Sequence, residues 1–471
     1  MRVTVLERGR LVRYAKARLP ADHQDTPWER CIPWPLFDAL EKTEQAREEK
    51  EARRARQTGK KVKSSAVFTF GRRKGQTVAT VGPWVGVLEA GDLLLELLPK
   101  VDREERPARL ADGTKLAEVR GNLLTMLEVA GDVPVRLRGP AATAMRQGSL
   151  KDALVRLFLE GLVTELLRGE PRAYVTMEEE LGTIRGRLML REQITRSAGK
   201  EHRFWCRFDE LVGDPRIGGR LKVACAVLAR RSLGAESRRL LHQARALLDE
   251  APDLPPHATA GVHFNRQNER FRDVYNFAGH ILADNTPDLQ AGQVASFSLL
   301  YQMDALFERF IERFIKRHVL AGADLPEALK GWRPIAQGRE HREYLLFEAG
   351  SRGVLPMKPD LLFKRPGERS FIIDTKWKHI APGPEVRPAS PDLYQLYAYH
   401  QRYNCRRVML LYPSAGAAEG CDFSLKPKDE PALSVRFVDL APDLATAAGR
   451  QRLVEQLRAL INEGATSGVQ P

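Results

Sequence analysis

The sequence predicts a multidomain α+β protein with α/β character towards its end: a β-rich N-terminal domain, a mainly helical middle domain, and a C-terminal mixed sheet flanked by helices. Three observations predict this class. Short β-leaning runs separated by turn residues dominate the first part of the chain. From about residue 149 apolar residues recur at helical spacing. In the last third, helical and strand-like segments alternate, which is typical of a sheet covered by helices.

Length and composition set the limits within which this class is expected. The chain has 471 residues, enough for three domains at roughly 150 residues each. Hydrophobic residues make up 43%, which excludes wholesale disorder. The sequence contains no uncharged apolar run of about 18 residues, so we expect no membrane partner. Charges in the N-terminal MRVTVLERGRLVRY argue against a secretory signal.

The cysteines are too scattered for a disulfide framework, and no CxxC pair indicates zinc. We therefore expect a cytoplasmic protein. The cysteines are Cys31, Cys206, Cys225, Cys405 and Cys421.

The charge balance is basic, with 75 Lys and Arg against 61 Asp and Glu, a formal net charge of +14. Such an excess fits a polyanion-binding protein, but it also fits a protein that is simply kept in solution by its charge. Residues 41–63 are almost free of apolar side chains. Within 47–63 the sequence contains eight basic residues and three acidic ones. This segment is predicted as an exposed helix or a mobile arm. It is either a solvated insertion or a contact to DNA or to an acidic partner.

The β-rich N-terminal domain is predicted over residues 1–138. Its apolar runs are short and separated by Gly, Pro and charged turns. Two of them resemble a hairpin closed at Glu89-Ala-Gly-Asp92. The runs are residues 66–70, 77–81, 84–88 and 93–98.

The middle domain is predicted over residues 139–287. Ser149 is a predicted N-cap for a helix that ends before Gly169. Residues 219–250 form a second predicted helical region. The intervening 171–215 is less regular, with strand-like TIRGRLML inside it.

The C-terminal domain is predicted over residues 288–471. It begins with a helical region at 288–320, in which residues 302–319 carry a strongly apolar stripe. The predicted order then implies a mixed sheet between helices. That order is strands at 343–348, 354–363 and 370–376, a helix at 390–402, a strand at 406–412 and a closing helix at 447–462.

Two carboxylates and a lysine on successive strands of this domain are the strongest chemical signal. Pro359-Asp360 is predicted within one strand, and a Pro-Gly turn leads into a second strand that ends at Asp374-Thr375-Lys376. Since side chains alternate along a strand, Asp374 and Lys376 should share a face, and the hairpin can bring Asp360 beside them. Paired carboxylates offer hard oxygen ligands for Mg²⁺, and an ammonium group can orient or help deprotonate a water. This combination suits hydrolysis of a phosphodiester. An Asp-x-Lys taken alone is more typical of a surface ion pair.

Two predicted helices add further polar candidates. Asp392, Gln395 and Tyr399 share one face of the helix at 390–402. Glu308 lies at the edge of the apolar stripe of the helix at 302–319, from where it could reach a metal. Each of these side chains, considered alone, is more typical of a solvated surface residue.

Taken together, these residues resemble the PD-(D/E)xK nuclease core with the QxxxY helix of its RecB-like branch. More narrowly, the chain is similar to the McrC family, the nuclease subunit of modification-dependent McrBC restriction systems. The nuclease-domain segments that carry the resemblance are LFERFIERFI, KPDLLF, FIIDTKWK and DLYQLYAY. Less specific N-terminal similarities are VGVLEAGDLLLELLPKV, RGNLLTML, IRGRL and CRFDELVGD.

The resemblance implies roles for particular side chains. It implies Mg²⁺ as the cofactor, with Asp360, Asp374 and Glu308 as its ligands. The implied catalytic residues are Asp360, Asp374, Lys376, Glu308, Gln395 and Tyr399.

The resemblance also implies partners. McrC-like subunits cut double-stranded methylated DNA and depend on a hexameric McrB-like AAA+ GTPase, which their N-terminal domain engages and stimulates. This chain itself lacks a GxxxxGK[ST] phosphate loop, so we expect it to bind no nucleotide. Two alternatives stay open: a nuclease that acts alone or with another motor in DNA repair or defence, and a non-catalytic adaptor that regulates a motor.

Overall fold

The structure is a computed structural model of the chain. The described residues are 1–15, 26, 28–58, 66–100, 113–134, 148–196, 199, 202–254, 262, 264–285, 296–321, 325–337, 341–348, 352–378, 380, 387–414, 416, 418–427 and 430–466.

The chain divides into two compact units, each of which is described below by itself. The first comprises Met1–Gly131, Arg136–Lys151 and Gln290–Pro471, and the second comprises Asp132–Val135 and Asp152–Leu289. The three-domain division at residues 138 and 287 stays a prediction, and both predicted boundaries lie outside the described residues.

The N-terminal part of the first unit is β-rich, as predicted. Its elements are β1 (Arg2–Leu6), β2 (Arg10–Tyr14), β3 (Glu29–Pro33), α1 (Trp34–Thr58), β4 (Phe68–Arg73), β5 (Gln76–Val81), β6 (Trp84–Ala90), β7 (Leu93–Leu98) and α2 (Gly113–Ala130).

These strands form two four-stranded sheets. One has the order β3-β2-β5-β4, and in the other β1, β7 and β6 are joined by the strand Ser296–Gln302 from much later in the chain. The predicted hairpin of β6 and β7 is confirmed, and Gly91 at its turn has φ +58°. The predicted β domain up to residue 138 was incomplete, because α2 follows β7 as a helix that buries Leu123 and Leu127.

The charged segment 41–63 is helical where it is described. Helix α1 covers its residues 41–58, and residues 59–63 lie outside the described part. The helix begins with Phe37 and Leu40 buried in the N-terminal core, so apolar burial holds its first turns.

The second unit contains more strand than the sequence predicted. Its elements are α3 (Leu150–Leu167, whose first residues belong to the first unit), β8 (Arg172–Leu181), β9 (Arg187–Leu188), α4 (Leu190–Arg196), β10 (Phe204–Gly213), α5 (Pro215–Ala229), α6 (Ala235–Leu247) and α7 (Arg272–Asn285).

Helix α3 confirms the helix predicted before Gly169, which has φ +121°. The region predicted as helical at 219–250 is helical over most of its length but consists of two helices: α5, which begins earlier and is capped by Asp214 accepting from two backbone N–H groups, and the separate α6. Strands β8 and β10 pair antiparallel over ten residues, whereas the predicted strand in TIRGRLML contributes only β9. Burial alternates along both strands, but only Cys206 and Phe208 are fully buried, so the apolar pattern in the sequence is weak.

The C-terminal part of the first unit contains a mixed sheet, as predicted. Its elements are β11 (Ser296–Gln302), α8 (Met303–Phe314), β12 (Arg333–Ala336), β13 (Tyr344–Phe347), β14 (Gly353–Pro356), β15 (Leu361–Lys364), β16 (Phe371–Thr375), α9 (Ser390–Arg402), β17 (Arg407–Ser414), β18 (Cys421–Ser424), β19 (Pro431–Asp439) and α10 (Ala447–Thr466).

The six-stranded sheet has the order β12-β15-β16-β17-β19-β18. Strands β16, β17 and β19 are parallel, and the outer strands join them antiparallel. Residues 371–373 of β16 and 408–412 of β17 are continuous runs of buried apolar side chains, as expected for strands covered on both faces.

Two details of this region differ from the predictions. The region predicted as helical at 288–320 includes β11, which pairs antiparallel with β6 and places Phe297, Leu299 and Tyr301 on one buried face. The strand predicted at 354–363 is two strands in different sheets, β14 and β15. Pro359-Asp360 therefore lies directly before β15, where the missing N–H of proline costs no ladder hydrogen bond.

Helix α8 continues the predicted apolar stripe, and five residues in π-helical geometry, Ile315–Val319, extend it. In the described part of the chain, no helix is both long enough and apolar enough to span a membrane.

Candidate active site

Asp374 and Lys376 lie together where β16 leaves the core of the sheet. Phe371, Ile372 and Ile373 pair with β15 on one side and β17 on the other, which fixes the strand up to Asp374. The Asp374 carboxylate is completely buried, and its Oδ2 lies 2.5 Å from Nζ of Lys376. The two side chains thus share a face of the strand.

Asp360 reaches the same point from the neighbouring strand. Its Oδ2 accepts hydrogen bonds from the backbone N–H and from the hydroxyl of Thr375, each at 2.7 Å. The predicted turn between the strands is present: the Glu368 N–H donates to the carbonyl of Arg365, and Gly367 has φ +81°. The hairpin therefore places Asp360 beside the end of β16.

Burial and mutual repulsion disfavour negative charge on the two aspartates. Burial, and then the charge of Asp374, raise the pKa of Asp360 to about 7, although both Thr375 hydrogen bonds oppose the shift. Burial also raises the pKa of Asp374 against the attraction of Lys376. For Lys376, burial by itself would lower the pKa, but Asp374 and then Asp360 outweigh it, so the pKa lies above its usual value. The lysine is therefore a cation at neutral pH.

One oxygen of Asp374 is left without a partner. Oδ1 is buried and makes no hydrogen bond within the described residues. A buried carboxylate oxygen without a donor or cation is costly, so this atom calls for a positive group. The site thus has a buried electron-rich position that the described residues do not satisfy.

Glu308 lies near the two aspartates on α8. The side-chain amide of Gln337 donates to its Oε1 at 3.0 Å. Burial and then the charge of Asp360 raise the pKa of Glu308, and Glu308 in turn contributes to the raised pKa of Asp374. Negative charges on these three carboxylates therefore repel one another. Nonetheless, no three His, Cys, Asp or Glu side chains of the described residues are close enough together to hold a metal as they stand.

Gln395 and Tyr399 are connected to Asp360 through the backbone. The Gln395 amide donates to the Tyr399 hydroxyl at 2.7 Å, and that hydroxyl donates to the carbonyl of Lys358 at 3.0 Å. Because Lys358 precedes Pro359-Asp360, this pair holds the segment that delivers the carboxylate.

Asp392, at the start of the same helix, is buried and lies 2.6 Å from Nζ of Lys378. The structure thus brings together all six residues that the sequence singled out, together with Asp392. It adds Thr375, Gln337 and Lys378, which the sequence alone does not indicate. For Thr375 the available signal was its position between Asp374 and Lys376. For Lys378 it was the Lys-x-Lys spacing after β16.

A hard divalent cation fits this set of donors. Mg²⁺ is commonly held by one or two carboxylates and completes its coordination with water and substrate oxygens. Asp374, through its unpartnered Oδ1, and Asp360 supply such carboxylates. Glu308 lies nearby but does not complete a set of three donors in the described structure.

Comparisons with known proteins identify one matching family. A family model described as McrBC 5-methylcytosine restriction system component matches residues 79–413, well over half of the chain. No curated protein sequence matches.

Two solved structures are similar to the chain. One is a chain of the refined half-complex from the tetradecameric assembly of Thermococcus gammatolerans McrB AAA+ hexamers with bound McrC. Its sequence identity to this chain is 19% and the TM-score is 0.59. The match covers 98% of this chain and 100% of that chain. The other is a chain of the cryo-EM structure of the Thermococcus gammatolerans McrBC complex, with 21% identity, a TM-score of 0.44, and coverage of 67% and 88%. At these identities the first similarity concerns the fold alone. On the family match, this chain belongs to the McrBC family of 5-methylcytosine restriction system components.

Proposed function

We propose that this chain is the McrC-type nuclease subunit of such a system, with a PD-(D/E)xK fold in its C-terminal part, and that it hydrolyses DNA phosphodiester bonds with Mg²⁺. The observation that supports this most directly is the buried Asp374: one oxygen contacts the Lys376 ammonium, and the other has no partner among the residues that the structure describes. A buried carboxylate in that state suits a metal ligand better than a structural ion pair.

In this proposal, Asp360 and Asp374 hold Mg²⁺, with Glu308 as a further ligand. When bound, the ion supplies charge neutralisation at the scissile phosphate and lowers the pKa of a water.

The remaining roles belong to groups of the chain itself. Lys376, held as a cation between the aspartates, stabilises the negative charge that develops on the phosphate and orients the attacking water. Thr375 fixes the rotamer of Asp360 through two donors to one oxygen. Gln395 and Tyr399 hold the backbone before Asp360 and present polar groups beside the substrate.

The proposed partner is a hexameric McrB-like AAA+ GTPase. Support comes from the similar fold in an assembly of McrB hexamers with bound McrC. The GTPase would recognise and translocate methylated double-stranded DNA in the cytoplasm. This chain would engage the hexamer through its N-terminal part, stimulate GTP hydrolysis and cut the DNA. It would bind no nucleotide itself. The charge of +14 would offset phosphates of the bound duplex.

Reconstitution tests the proposal. The full chain is combined with the McrB-like GTPase of the same genome, GTP and Mg²⁺, on one DNA in methylated and unmethylated form. We expect cutting of the methylated DNA only, lost when the GTPase is omitted or when EDTA replaces Mg²⁺. Cutting without the GTPase would favour a nuclease that acts alone. GTPase stimulation without cutting under any condition would favour the adaptor.

A further inference from the structure

The residue that follows the lysine of the candidate site is anchored to the other end of the chain. Trp377 is one of the largest fully buried side chains, and its Nε1–H donates to Oε1 of Glu7 at 2.5 Å. The two residues are 370 positions apart in the sequence. This bond connects the segment after β16 directly to the N-terminal sheet.

Glu7 is itself held by that sheet. It directly follows β1, which pairs parallel with β7, and its N–H donates to the carbonyl of Leu98 at 2.9 Å. Its side chain is fully buried. A buried carboxylate needs hydrogen bonds to offset its lost hydration, and a bond from an indole N–H to a carboxylate is stronger than a neutral one.

The same tryptophan also contacts the helix that carries Glu308. The rings of Phe307 and Trp377 meet edge to face, with centroids 5.2 Å apart. That helix, α8, directly follows β11, which pairs with β6 in the N-terminal sheet, and its first N–H, that of Met303, donates to the carbonyl of Pro83. Trp377 thus lies between two elements that the N-terminal sheet holds in place.

The sheet supports the backbone of Lys376 from one neighbouring strand. Backbone pairing of β16 with β15 ends at Ile373. The Lys376 N–H donates to the carbonyl of Leu411 in β17, so the sheet holds its backbone from one side only. The adjoining Trp377 is where the backbone of Lys376 can be fixed from the opposite direction.

We propose that Glu7 is a positioning residue for DNA cleavage: its carboxylate holds the indole of Trp377, which in turn sets the backbone and ammonium of Lys376. This inference rests on the proposed nuclease function. It makes the N-terminal sheet a structural part of the active site, beyond any role in binding a motor.

The test uses the full chain in the reconstituted complex with GTP and Mg²⁺ on methylated DNA. Glu7→Ala and Trp377→Phe each remove one partner of the bond. We expect kcat for cleavage to fall about 10- to 100-fold in each, with KM for DNA unchanged, because misplacement of a reacting group by about 1 Å has effects of this size. Combining the two changes should lower kcat no further than either change alone, because each change breaks the same hydrogen bond.

Two variants separate positioning from general destabilisation. Glu7→Gln retains an oxygen that accepts from the indole and should restore most of kcat. Glu44→Ala is the matched control: Glu44 is also a buried N-terminal glutamate, but it accepts from the backbone of Val67 and Phe68. It should lower the melting temperature and leave kcat of the folded protein unchanged.

The outcomes distinguish this inference from the proposed function. Wild-type kcat in Glu7→Ala, or equal losses of kcat in Glu44→Ala and Glu7→Ala, would overturn the positioning role while leaving the nuclease intact. A wild-type chain that cuts no DNA in any condition would overturn the proposed function itself.

Discussion

Thr375 donates both its backbone N–H and its hydroxyl to the same oxygen of Asp360, at 2.7 Å in each case. The two residues belong to neighbouring chain segments of one hairpin, and Thr375 stands between Asp374 and Lys376. A single threonine therefore links the two aspartates that we propose as metal ligands. This arrangement makes the threonine an informative position for mutation.

Thr375→Val should weaken the hold on Asp360 without removing it. The hydroxyl is lost and the backbone donor remains, so we expect a loss of about 1 kcal/mol in the free energy of unfolding. Cleavage should fall by about tenfold, because the carboxylate gains rotational freedom. Thr375→Ser retains the hydroxyl and is the control. Denaturant unfolding and single-turnover cleavage measure both effects, and equal cleavage by the two variants would exclude this role.

Tyr399→Phe should affect the segment before Asp360. The change deletes the donor to the Lys358 carbonyl and the acceptor of the Gln395 amide. We expect a loss of about 1–2 kcal/mol in unfolding free energy, since a part-buried carbonyl loses its partner, together with slower cleavage. The exposed Tyr394 of the same helix provides the control Tyr394→Phe, which should match wild type in stability. Identical stability of the two variants would contradict the assigned bonds.

Lys376→Met should leave Asp374 without its cation. Removing one partner of a buried ion pair typically costs about 3–5 kcal/mol when the other charge remains. We expect the Asp374 carboxyl to take up a proton instead, which limits the loss of stability and abolishes cleavage. The exposed Lys330, which forms a surface ion pair with Glu327, is the matched control as Lys330→Met. Cleavage by Lys376→Met at the level of that control would rule out the proposed role of the ammonium.

The raised pKa of Asp360 predicts a pH dependence of stability without metal. Between its usual value of 3.8 and about 7, the folded protein keeps a proton on this carboxyl that the unfolded chain has released. Stability therefore falls as pH rises through this window. Asp360→Asn lacks the titration, so its melting temperature in EDTA should increasingly exceed that of wild type from pH 4 to about 7. A difference that is independent of pH would show that Asp360 titrates normally. Added Mg²⁺ should reduce the difference by binding the ionised form.

Much of the C-terminal sheet could be predicted because its signals are local. Strand β16 is a buried apolar run that ends in charged residues. In α8 and α9 the buried residues recur at helical spacing, so the sequence reveals which face of each helix is buried. Strand β11 was missed because a short apolar run next to an amphipathic helix fits either structure. Strands β8 and β10 were missed because only two of their residues, Cys206 and Phe208, are fully buried, which leaves a weak apolar pattern.

The candidate site could be predicted as a set of residues but not as a network of contacts. Spacing along β16 and across one hairpin predicts that Asp374, Lys376 and Asp360 meet. The bond between Glu7 and Trp377 joins residues at opposite ends of the chain, and no local pattern encodes such a pairing. The same holds for Gln337, whose partner Glu308 lies on another element.

Cleavage by Asp374→Ala in the reconstituted complex tests the central claim most directly. Methylated DNA is incubated with the variant, the GTPase partner, GTP and Mg²⁺, alongside wild type and Asp304→Ala, which changes an exposed aspartate in the first turn of α8. We predict that Asp374→Ala loses cleavage but retains complex formation and GTPase stimulation, and that Asp304→Ala matches wild type. Cleavage by Asp374→Ala at the wild-type rate would contradict the assignment of the site.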